Sequence, residues 1–210
     1  MNRKRKSEIG RSRAGRRWLA AALCFAAVLA GAMFAGCSDS EANPGTLGDG
    51  EQNYQVELYY VNQEYVNEGD ESLGHLMPEM DATITATPGA VYLETLKALS
   101  QVPDGDNYTT MLRDNIKVDG ASLDEDGKTV TVDFMSQGLS GGSTEESLLV
   151  EQIVRTLTES FDQVERVRFT VGGAPADTLM GHLDTTVPYG IQEVDGGEGE
   201  DVEMVMPLYE

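Results

Sequence analysis

Cysteine is nearly missing from this chain of 210 residues, which has two. Cys24 lies inside an apolar run near the N-terminus, so removal of that run leaves Cys37 alone. One cysteine excludes both an intramolecular disulfide and a cysteine-based metal cluster. Histidine is as scarce, with His75 and His182 far apart in different loop-like segments. No Gly-x-Ser-x-Gly elbow or His-Glu-x-x-His pair accompanies them, so neither a nucleophile-elbow hydrolase nor a zinc peptidase is indicated. Both histidines read as surface or rim residues. Only one long apolar run occurs and no internal repeat is visible. Basic residues are rare beyond the first 36 positions. The whole chain has 15 Lys+Arg against 36 Asp+Glu; subtracting the eight bases and one acid of residues 1–36 leaves 7 against 35, a formal charge of −28. Binding of nucleic acid through phosphates is therefore disfavoured, and so is electrostatic adhesion to anionic lipid.

What the N-terminus does hold is a tripartite pattern. Arg3, Lys4, Arg5, Lys6, Arg11, Arg13, Arg16 and Arg17 precede the apolar residues 18–34, and Phe34-Ala-Gly-Cys37 follows. Basic, apolar and small residues in that order form an export signal. The ending resembles a bacterial lipobox, with Phe34 where leucine is more usual. That resemblance implies cleavage before Cys37, a diacylglyceryl thioether on its sulfur, and two or more acyl chains (palmitate among them) that give stable anchoring. The run also approaches the ~17–25 residues of a membrane span. Gly31, Gly36 and the acidic segment after Cys37 favour cleavage. On either reading the remainder is expected outside the cell, on the outer face of the cytoplasmic membrane.

The organisation expected is a signal peptide over 1–36, a lipidated cysteine and acidic flexible linker over 37–53, a single domain over 54–192, and an acidic, glycine-rich segment with a candidate edge strand over 193–210. The domain centres on residues 128–173. Val130, Val132 and Phe134 alternate with Thr129, Thr131 and Asp133, as a half-buried strand requires. Gly138, Gly141 and Gly142 break it, and Ser143 with Glu146 has capping-box spacing. Leu149, Ile153, Leu157 and Phe161 then recur at helical intervals. Val164, Val167, Phe169 and Val171 read as another strand ended by Gly172-Gly173. Upstream, Val56, Leu58 and Tyr60 mark a strand, 62–78 a polar loop, 82–86 a short strand, and 91–99 a helix with Pro88 at its first turn. Ile116, Val118 and Leu123 lead through Asp124-Glu-Asp-Gly127 into a hairpin. Two helices on one face of a mixed β-sheet, an α+β two-layer sandwich, satisfy this order.

The acidic clusters fail as calcium sites. After Asp104 and Asp106, Thr109 replaces the required glycine and Asn115 the bidentate glutamate; after Asp124 and Asp126, Lys128 stands where a ligand is needed. The 196–201 stretch matches the start of a calcium-binding nonapeptide in one copy only, whereas such sites need stacked neighbours. No catalytic, cofactor-binding or metal-binding residue is assigned. Tyr59, on the face of the first strand opposite Tyr60, and Tyr54 are the candidates for an interaction surface.

In sequence the domain resembles the GerMN domain of sporulation and spore germination proteins. The resemblance is carried by Val56-Glu-Leu-Tyr-Tyr-Val61, the helix 91–99, and Asp119-Gly120 before Val130-Thr-Val-Asp-Phe134. It continues through Gly-Gly-Ser-Thr-Glu-Glu146, Gln152-Ile-Val-Arg-Thr-Leu-Thr-Glu159 and Val164-Glu-Arg-Val-Arg-Phe-Thr-Val-Gly172. It covers roughly 56–182 and departs at Gln101-Val-Pro103, where the family often has Gly-Pro. The resemblance implies a fold similar to ring-building domains and a non-enzymatic, membrane-attached module of spore-forming and related Gram-positive bacteria. Envelope or sporulation-complex proteins, or peptidoglycan, are the expected partners, with no cofactor. A small-ligand-binding envelope lipoprotein and a wall hydrolase are the alternatives.

Overall fold

The alternation around Tyr60 produces a strand longer than its apolar core. In the computed structural model, which describes residues 50–104, 107–194 and 202–209, β1 runs Gln52–Asn62 and buries Val56, Leu58 and Tyr60. The expected signal peptide, Cys37 and the glycine-rich 196–201 stretch lie outside the described residues. β1 pairs antiparallel with β2, Leu76–Ala86, and a bulge gives β2 one extra residue between Glu79 and Ala82. The segment expected to be a polar loop contains α1, Gln63–Glu68, then a 3-10 turn at Glu71–Leu73 and the first half of β2. Asn62 caps α1 by accepting from the Glu64 amide, and Gly69 ends it in the left-handed conformation at φ 66°. Those two residue types are preferred for these two jobs.

α2 spans Val91–Leu99 as expected, but Pro88 sits in the turn before it, which Ala90 closes by donating to the Thr87 carbonyl. β3, Tyr108–Thr109, adds two residues to the far end of β1 and completes a three-stranded sheet in the order β2-β1-β3. A second, mixed sheet takes β4 (Val118–Leu123), β5 (Thr129–Phe134), β6 (Arg166–Val171), β8 (Tyr189–Val194) and β9 (Val202–Pro207) in that spatial order. β4 and β5 form the expected antiparallel hairpin. β5 and β6 are parallel and are joined through α3, Ser143–Ser160, as a parallel pair needs a crossover. The two glycines after β6 both have positive φ, 60° and 76°, and turn the chain into β7, Ala174–Pro175. Glycine adopts this conformation without the penalty a Cβ brings. The α+β architecture with a mixed sheet and helical cover thus stands, with the strands divided between two sheets.

α3 is the joint between those sheets. It touches β1 of the first and β6, β8 and β9 of the second. Leu149, Ile153, Val154 and Leu157 are all fully buried. On the side turned to β1 it presents polar groups at four-residue spacing. Thr156 Oγ1 accepts from the Tyr59 amide at 3.0 Å, and Ser160 Oγ accepts from the Glu57 amide at 3.0 Å while donating to the Glu57 carbonyl at 3.1 Å. Gln152 Nε2 donates to the Tyr59 carbonyl at 3.4 Å, and its Oε1 accepts from the Met111 amide at 2.7 Å. A row of helical side chains therefore satisfies the backbone that a neighbouring strand would otherwise take, as buried polar groups require.

Candidate functional site

The tyrosines expected to be available are largely engaged. Tyr54 is half-buried, and its hydroxyl accepts from Gln52 Nε2 at 2.7 Å. Tyr59 is half-buried too, lies 5.3 Å beneath the Arg155 guanidinium, and donates its hydroxyl to Glu57 at 3.4 Å. A cation over the ring face is an attractive arrangement that occupies that face. Tyr60 is buried and donates to the Gln101 carbonyl at 2.9 Å; burial first, then Glu79 and Tyr108, push its phenol up to about 12.

The histidines occupy different settings. His75 Nδ1 is 3.0 Å from Glu151 Oε2 on α3, and its ring packs 4.5 Å from that of Tyr65 on α1. The pair couples the β1–β2 connection to α3 and lines a hollow of about 270 Å³ with Ser143 and Ser147. His182 lies on the other side of the helix start. Its backbone amide, with those of Leu179, Met180 and Leu183, donates to the carboxylate of Glu146 at 2.8–3.2 Å. Glu146 has no exposed surface. The capping box expected from Ser143 and Glu146 is displaced by one residue. Gly142 is the N-cap and donates its amide to Glu145 at 2.9 Å, so Glu146 turns inward. Helix phase explains this, since adjacent residues sit 100° apart and only one glutamate can face the cap.

The acidic turns serve as caps. Asp126 accepts the Thr129 hydroxyl and the Lys128 and Thr129 amides; these bonds, with Arg166 adding less, bring its carboxyl down to about 2. Asp124 accepts the Thr131 hydroxyl, and Asp133 takes the Thr170 hydroxyl and the Gly173 amide. Among the described residues no cluster of three or more histidine, cysteine or acidic side chains is arranged to hold a metal.

A larger recess was not anticipated. The end of α2 with residues 100–102, and the segment 109–118 that leads into β4, enclose an open groove of about 540 Å³. Its floor is apolar, formed by buried Leu96, Leu112 and Ile116, with Val102 exposed at the edge. Lys97, Arg113 and Lys117 stand around it, with Asp114 the one carboxylate among the described lining residues. Lys97 is 2.7 Å from Glu94 and Arg113 is 2.8 Å from Glu145, both pairs in solvent. The Glu145 carboxyl is held below its ordinary range, first by the Gly142 amide and then by Arg113. The only linear hint was Arg113 and Lys117 flanking Ile116; Lys97 reaches them by folding alone.

The family model Germane, described as sporulation and spore germination, matches residues 57–177. No curated protein matches the chain. Solved structures do. The first GerMN domain of the sporulation protein GerM from Bacillus subtilis is 18% identical, with a TM-score of 0.45 over 62% of this chain and 92% of that one. The tandem GerMN domains of the same protein give 14% and 0.48, over 74% and 60%. A candidate lipoprotein of Clostridium perfringens gives 18% and 0.44, over 65% and 88%.

Proposed function

The chain belongs to the Germane family of sporulation and spore germination domains, and from that premise we propose that it is a lipid-anchored, non-catalytic module that binds a partner outside the cytoplasmic membrane. The observation that carries the reading is the family match over 57–177 downstream of a leader ending Ala-Gly-Cys37. Cys37 takes the lipid, the acidic segment after it tethers the domain to the outer face of the membrane, and the domain meets an envelope or sporulation-complex protein, or peptidoglycan. The commitments of its polar groups support a binding role. Glu146 is spent on four backbone amides and His75 faces Glu151, so these two ionisable groups have structural partners.

Crosslinking in living cells tests this. The wild-type chain is expected in the membrane fraction, attached to one defined envelope protein or to peptidoglycan, with Cys37 diacylated by mass spectrometry. Cys37→Ser is expected to leave that fraction and lose the crosslink. An unmodified Cys37 in a cytosolic protein would refute the anchoring, and a turnover traced to particular side chains would refute the non-catalytic role.

A further inference from the structure

We propose that the groove between the end of α2 and the segment 109–118 is the partner-docking surface, and that it takes an acidic peptide segment carrying an apolar side chain. The proposal deepens the binding role argued above and rests on it. Charge distribution is the first argument. Beyond residue 36 the chain has only seven basic residues against 35 acidic ones, and three of the seven, Lys97, Arg113 and Lys117, stand around this one recess. Asp114 is the one carboxylate among the described lining residues, and with Glu94 and Glu145 on the rim the recess is close to neutral on a chain of large negative charge.

Three of the other four face carboxylates outside the groove: Lys128 faces Glu165, Arg166 faces Asp126 and Arg168 faces Asp124. Lys117 is exposed and forms no ion pair with another described residue. Lys97 and Arg113 form pairs with both partners exposed, as the Lys128–Glu165 pair also is. Exposed pairs of this kind contribute little and exchange readily for a better-placed carboxylate. The floor supplies the rest. Leu112 and Ile116 with exposed Val102 offer an apolar seat, and a desolvated anchor ringed by charges is how a small interface gains both affinity and register.

Charge and shape decide between sources of negative charge. The formal charge of −28 beyond residue 36 opposes adhesion to an anionic lipid surface, and a phosphodiester polymer has no side chain for the apolar floor. A protein segment meets both requirements.

Fluorescence anisotropy on the full mature chain in detergent tests the proposal. The probe is a labelled decapeptide with four glutamates around a central Leu-Leu, compared with its glutamine counterpart, with polyglycerol phosphate, and with phosphatidylglycerol vesicles. The glutamate peptide is expected to bind, with affinity falling as salt rises, and the glutamine peptide to bind at least about tenfold more weakly. Lys97→Glu with Lys117→Glu should weaken binding at least about tenfold, while Lys128→Glu, on the same protein but outside the groove, should not. Both altered lysines are exposed, so unchanged circular dichroism keeps folding out of the comparison. No binding of the glutamate peptide at millimolar concentration, binding indifferent to the groove substitutions, or stronger binding of the polymer or vesicles would overturn the proposal. Crosslinking separates this failure from that of the wider reading. If Lys97→Glu/Lys117→Glu captures the same envelope partner as the wild type, the module binds but the groove is not where; loss of capture in that variant alone supports the groove.

Discussion

Glu146 shows how much one side chain can organise. Its carboxylate sits in the first turn of α3, where the helix dipole favours negative charge, and gathers four amides from residues 179–183. Glu146→Gln keeps the shape but turns an N–H toward N–H donors, so it should cost about 3 kcal/mol. For a domain of this size that lowers Tm by roughly 6–12 °C, measurable by calorimetry. Asp126 gives a pH signature of its own. It is a stronger acid folded, at about 2, than in the unfolded chain, where aspartate titrates near the usual value of about 4. The folded state therefore binds fewer protons between those values. The stabilisation is fully present above about pH 4 and disappears as pH falls toward 2. Melting curves from pH 6 to 2 should show this loss, and Asp126→Asn should flatten the part of it that Asp126 contributes.

Among the elements, α3 carries the most. Thr156→Val preserves volume but leaves the Tyr59 amide without its acceptor, and should cost about 1–3 kcal/mol in urea unfolding. Thr158→Val removes a hydroxyl that bonds back to Val154 of the same helix, and should cost well under about 1 kcal/mol. Equal losses would mean that covering the strand edge contributes nothing special. α3 was also the most legible element in the sequence, because its apolar repeat is long enough to outweigh local noise. β5, β6 and the hairpin before them were legible for the same reason, through alternation and the Asp-Gly turn. α1 was not: it has six residues and one buried side chain, Tyr65, too few to display a period. The first half of β2 was hidden because Leu76-Met-Pro-Glu-Met-Asp has no clean alternation, with Pro78 and Met80 both exposed. The groove had the weakest signal, since nothing along the chain links Lys97 to Arg113 and Lys117. The apolar repeat of α3 gave no sign of its second buried stripe, in which Gln152 and Thr156 are fully buried against backbone.

For the whole molecule, the placement of α3 makes two sheets behave as one. Its loss would open both, so equilibrium unfolding should be a single transition. Tyr54, Tyr59, Tyr60, Tyr65 and Tyr92 all belong to the half built on the first sheet, so tyrosine fluorescence reports mostly on that half, while far-UV circular dichroism reports on both. Coincident urea midpoints are expected, and separated midpoints would show that the halves unfold independently. The same placement has a cost in time. β1 and β2 are neighbours along the chain and can zip together early, yet the residues that shield β1, from Gln152 to Ser160, are made about a hundred positions later. Since β1 and β2 emerge before the residues that cover β1, that flank has only solvent or a foreign strand for a partner until α3 is made.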